Sequence, residues 1–147
     1  MGFTQTANKS IASIIQNLAD QANLQIHVQN ENYVQCGIGL PENRKQLVHL
    51  MSVGEIGDKQ VIQIWTPVAQ LPTPELPSDV ANVLLVENGN FKCGAFAIRK
   101  IEDAHLLVFF QNILLESLSP QDFAITIGIV AQTGDQWESK LGTTDQF

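Results

Sequence analysis

VANVLLVENGNFKCGAFAIRKIEDAHLLVFFQNILLESLSPQD, residues 80–122, sets the frame into which the other residues fit. Ser78 to Glu87 reads as a short helix closed by Asn88-Gly89-Asn90, Phe91–Arg99 and Ala104–Leu115 as an antiparallel hairpin, and Ser119-Pro120 as the start of a further helix. In the second hairpin strand the even positions hold Ala104, Leu106, Val108, Phe110 and Leu114, and the odd ones His105, Leu107, Phe109, Ile113 and Leu115. Both faces are apolar. A strand with one face in water alternates, so this one is expected to be covered twice, by its own helices on one side and by a second chain on the other.

Downstream, Leu118-Ser119-Pro120-Gln121-Asp122 is the clearest local signal. Ser is a preferred N-cap, Pro is preorganised for the first helical turn, and the Asp122 carboxylate favours the helix dipole. The helix that follows carries Phe123, Ile127, Val130, Trp137 and Leu141 on one stripe, and Gly128 and Gly134 within it suggest close packing. The tail from Gly142 is expected to fray.

Upstream, residues 7–22 place Ile11, Ile14, Ile15, Leu18 and Ala22 on one helical stripe, with Asn23 suited to a left-handed closing turn. Leu24, Ile26 and Val28 then alternate with polar residues as a half-buried strand, and Asn30-Glu31-Asn32 turns the chain. Tyr33–Leu40 reads as a strand that Gly37 and Gly39 mark as bulged or at an edge where another backbone comes close. Gln46–Val53 and Gln60–Val68 are two more strands around a Gly54–Asp58 loop, and Pro67 argues against a central place for the end of the second. Leu71–Pro77 is an extended, proline-rich connector leading to the middle helix, which Ser78-Asp79 caps and in which Val80, Val83 and Leu84 point inward. The order α-β-β-β-β-α-β-β-α specifies an α+β fold with three helices and a largely antiparallel sheet.

The 147 residues suit one domain, spanning 1–147, and such a chain buries roughly 70% of its unfolded surface, enough for a core without staples. Cys36 and Cys93 are isolated from any C-x-x-C pattern and read as two buried thiols in a reducing cytoplasm. A net charge of −7, with no basic cluster beyond Arg44-Lys45 and Arg99-Lys100, argues against nucleic acid and against anionic membrane surfaces as partners. The sequence shows no charged-then-apolar leader and no apolar run long enough to span a bilayer, so a soluble cytoplasmic protein is expected. Met1-Gly2 with Thr6, and Asn8-Lys9-Ser10, match short modification patterns that arise by chance.

No reaction is written in these residues. His27, His49 and His105 each fall in a strand without a second metal ligand at useful spacing, and adjacent Glu102-Asp103 at a hairpin tip point apart into water. Gly37-Ile38-Gly39 lacks the third glycine of a dinucleotide loop, and Gly89–Gly94 lacks the Lys-Ser/Thr of a phosphate loop. No catalytic residue, cofactor or metal is expected. Trp65 and Trp137 read as core or interface anchors.

The run Leu84–Ile98 with Asn88 and Phe91, then Leu106–Phe109, then Leu118-Ser119 opening a helix through Val130 to Trp137, resembles the YbjN family. That family shares the fold of the class I type III secretion chaperones, such as the chaperone of the Tir effector. The resemblance covers residues 78–141 by motif and residues 1–70 by element order. It implies a small acidic protein, often a homodimer, without catalytic residues to carry over. The expected function is a non-enzymatic chaperone-like or adaptor module that binds a client polypeptide through apolar surface or a sheet edge. The alternative is a small-molecule-binding protein or enzyme with a pocket between helix one and the sheet, near His27 or His49. Surplus apolar residues on the middle helix and hairpin point to a two-fold homodimer through Val80, Val83, Leu84, Leu107, Phe109 and Ile113, with helix one or the last helix as the competing cover.

Overall fold

A computed structural model of the chain describes residues 10–142; the modification patterns at Met1–Thr6 and Asn8, the first turn expected at 7–9 and the tail beyond Gly142 lie outside them. The elements are α1 (Ile11–Gln21), β1 (Ile26–Asn30), β2 (Tyr33–Gly39), β3 (Lys45–Ile56), β4 (Lys59–Leu71), α2 (Ser78–Asn90), β5 (Ala95–Ile101), β6 (Ala104–Leu114) and α3 (Pro120–Gly142). Short 3-10 turns at Pro41–Asn43 and Leu115–Ser117 complete the order, which is the expected α-β-β-β-β-α-β-β-α. All strand pairings are antiparallel, and the six strands lie in the order β1-β2-β3-β4-β6-β5.

Local chemistry explains the helix ends. Ser10 Oγ accepts from Ser13 N–H (3.1 Å) to open α1, and Asn23 takes the left-handed conformation (φ 58°) that closes it. Ser119 Oγ accepts from Asp122 N–H (3.0 Å) to open α3. The middle helix departs from expectation at both ends. Its N-cap is Pro77 with no side-chain cap bond, and it runs on through Asn88-Gly89-Asn90. The reason is that Asn88 is committed elsewhere: its Oδ1 accepts from Phe96 N–H (2.7 Å) and its Nδ2 donates to Phe96 O (3.3 Å), so it occupies the edge of β5 instead of ending the helix. Phe91–Gly94 is consequently loop, and β5 starts at Ala95.

β4 lies between β3 and β6, but from Thr66 onward it is paired with β6 alone, so the end of the strand is not central, as Pro67 suggests, and Pro67 itself sits at an irregularity between Pro67 and Ala69. A proline survives there because the β3–β4 ladder reaches only His49↔Trp65; beyond it side chains do the joining, Thr66 Oγ1 donating to Leu47 O (2.7 Å) and Gln46 Nε2 donating to Thr66 Oγ1 (2.9 Å) and Pro67 O (3.1 Å). Gly37 and Gly39 lie where β2 runs past the end of β1, an edge as expected, but nothing lies within 4 Å of a Cβ at either.

Strand register sorts the sheet into two faces. Val34, Cys36, Val48, Leu50, Ile62, Ile64, Leu107 and Phe109 share one face, are at most 1% exposed, and pack with Ile11, Ile15 and Leu18 of α1 and Phe123, Ile127 and Val130 of α3. The other face carries no described helix. The last strand is apolar on both sides, but the odd residues Leu107, Phe109 and Leu115, expected to look outward to a second chain, are buried inside this one, and Leu106, Val108 and Phe110 line the helix-free face. α3 covers the odd face, the competing cover weighed from sequence.

Candidate functional site

Of the six residues expected at a dimer interface, Leu84 (3% exposed), Leu107 and Phe109 belong to the core of the single chain, and Val80 and Ile113 are half-buried against it. Phe109 packs edge-to-face on Phe91 and Phe96, and Phe96 in turn on Trp137 (5.1 Å). Val83 remains exposed. It lies on the outer side of α2 with Leu85 and Val86, all three more than half exposed, a patch that sequence reading had only partly assembled. The two sheet edges differ as well. Asn88 occupies the backbone of β5, whereas the outer side of β1 has no strand partner among the described residues, and Val28 is half exposed.

The helix-free face holds a cluster with more chemistry than its sequence suggested. Strand register brings Tyr33, His49 and Trp65 side by side on β2, β3 and β4, with near-parallel rings (centroids 5.8 and 4.0 Å). Gln35 Nε2 donates to Tyr33 Oη (2.8 Å), and Tyr33 Oη and His49 Nδ1 share a hydrogen bond (2.6 Å). Burial, and then the nearby Arg99 charge, push His49 down to about 4, so the ring is neutral near pH 7. Arg99 reaches across from β5, its guanidinium over the Trp65 ring (5.2 Å) and donating to Gln63 Oε1 and toward Met51 Sδ. Trp65 Nε1 is buried with no acceptor among the described residues.

The other candidates scatter. His27 is exposed on edge strand β1, His105 half-buried on β6, and Glu102-Asp103 forms the exposed β5–β6 turn. The site expected between helix one and the sheet near His27 or His49 does not assemble, because His49 is on the opposite face of the sheet from α1; the hollow beside α1 is lined by Ser10, Ser13, Gln16 and Val28. Both cysteines are free; Cys36 is buried but Cys93 only half so, and burial raises both thiols. Arg44, by contrast, forms a forked ion pair with Asp135 of α3 (Nη2 to Oδ2 2.8 Å, Nε to Oδ1 3.1 Å) that joins residues 91 apart in sequence, a pairing with no local signature.

With this geometry in hand, the solved structures are informative. The chain is similar to the Yersinia pestis type III secretion chaperone SycH, solved in complex with a stable fragment of YscM2, at a TM-score of 0.52 over 85% of this chain and 97% of that one. The chain shares that chaperone's fold. Sequence identity is 14%, so the likeness is one of backbone architecture. No family model matches the chain, and no curated protein matches it. No helix among the described residues is long and apolar enough to cross a membrane.

Proposed function

We propose that the chain is a non-enzymatic, chaperone-like protein of the cytoplasm, a single domain over residues 1–147, which binds a client polypeptide as a homodimer. The observation that carries this reading is the fold shared with a secretion chaperone that was solved holding a protein fragment. Membership of the YbjN family belongs to the same reading, supported by the Leu84–Ile98 and Leu118–Trp137 patterns. The surfaces suit it. Val83, Leu85 and Val86 give α2 an apolar outer side for a second copy, and the edge of β1 beside Val28, without a strand partner among the described residues, is a template for an extended client segment.

The test is affinity capture from native lysate with mass spectrometry, followed by reconstitution of any recurrent client with the purified protein. A complex that co-elutes at fixed stoichiometry is the expected result. Repeated captures without a recurrent client, or a client that fails to bind when both components are pure, would overturn the reading.

A further inference from the structure

We propose that the helix-free face of the sheet holds a binding site for a small carboxylate with an apolar, aromatic body, centred on Trp65 and Arg99. The site is a cavity of about 420 Å³, within the range of small-ligand pockets. Its floor is apolar: Met51, Pro67, Ile101 and Leu106 line it beside the Tyr33–His49–Trp65 ring stack. Its charge is the decisive feature. The chain carries 15 acidic residues against 8 basic ones, yet this lining includes Arg99 and Lys100 and no carboxylate. Arg99 makes no ion pair among the described residues; its contacts are the neutral groups of Gln63, Met51 and Trp65. A guanidinium in a partly desolvated aromatic setting, without a counter-charge, is suited to an incoming anion, which it binds by charge-assisted hydrogen bonds.

Two neutral groups leave that polarity uncompensated. The imidazole in the lining is held at Nδ1 by the Tyr33 hydroxyl (2.6 Å) and is neutral near pH 7, so it brings no counter-charge to Arg99. Trp65, also in the lining, has an indole N–H without an acceptor, and a buried donor left unmade costs about 1–3 kcal/mol. The Arg99 charge and the unpartnered Trp65 N–H thus favour an acceptor, and the walls favour an apolar remainder. The nearest acidic pair, Glu102-Asp103, is exposed at the β5–β6 turn and outside the lining.

The site is separate from the β1 edge and the α2 surface proposed above for client and second copy, so its failure leaves the chaperone reading untouched. The experiment is a two-dimensional ¹H–¹⁵N titration of the full chain with 2-naphthoate, its uncharged counterpart 2-naphthamide, and acetate. Naphthoate is expected to shift the Trp65 indole and the amides of His49 and Arg99 saturably, with naphthamide and acetate each weaker by roughly tenfold or more, as loss of a charged hydrogen bond or of the apolar body requires. Arg99→Gln is expected to lose naphthoate binding to the same degree while the rest of the spectrum is unchanged, and Lys100→Gln to lose less. The proposal is overturned if naphthoate gives no saturable shift on this face, if naphthamide binds as well as naphthoate, or if Arg99→Gln keeps its fold and its affinity.

Discussion

His49 sits between Tyr33 and Trp65 with its Nδ1 engaged and Arg99 nearby, and this setting gives the molecule a specific pH response. Its folded value is pushed down to about 4 from an ordinary value near 6.5, so the unfolded chain takes up a proton first as pH falls. Above about pH 6.5 the ring is neutral in both states and contributes no pH dependence; between about 6.5 and 4 it costs the folded state progressively, to at most about 3 kcal/mol. Urea midpoints of the wild type and His49→Gln, compared from about pH 7.5 down to 4.5, are expected to converge or cross as the wild type loses stability. A constant difference across that range would show that His49 protonates normally in the folded chain.

At the scale of an element, α3 carries two glycines that sequence reading treated alike and packing separates. A Cβ at Gly128 meets nothing within 4 Å, whereas one at Gly134 would run into Thr66 Cγ2. Thr66 cannot rotate away without cost, since its hydroxyl donates to Leu47 O and accepts from Gln46. Gly128→Ala is therefore expected to raise stability by up to about 1 kcal/mol through helix propensity. Gly134→Ala is expected to lower it, because overpacking costs about 1–3 kcal/mol and outweighs the same propensity gain. Thermal unfolding of the two variants decides it; equal shifts of the same sign would mean that α3 does not press on β4 at Gly134.

At the scale of the whole molecule, the question is what covers α2. Val83, Leu85 and Val86 are each more than half exposed, and complete burial of such a side chain is worth roughly 1.5–3 kcal/mol. A two-fold pairing of α2 with its copy covers all three at once. Light scattering at tens of micromolar is expected to report a dimer, and Leu85→Asp a folded monomer. Phe109→Asp is expected to unfold the chain, because Phe109 is 0% exposed and surrounded by Phe91 and Phe96. A wild type that scatters as a monomer, or a Leu85→Asp variant that stays dimeric, would remove α2 from the interface.

The sequence by itself determined the order of the elements, the cap at Ser119, the left-handed turn at Asn23 and the apolar character of both faces of β6, because each is written in spacing or turn chemistry within a few residues. It could not say which face of β6 met its own helices, since period-two alternation vanishes when both faces are apolar; the packing of α2, α3 and the Phe91–Phe96 pair buries Leu107 and Phe109 and leaves Leu106 and Phe110 on the face without a described helix. Nor could it show that Asn88, a sound helix terminator, binds β5, because that depends on a partner that arrives from elsewhere in the chain. The Tyr33–His49–Trp65–Arg99 cluster is the extreme case. Its members come from four strands, and only strand register, which is a property of the assembled sheet, brings an imidazole, an indole and a guanidinium with no ion pair among the described residues to one cavity.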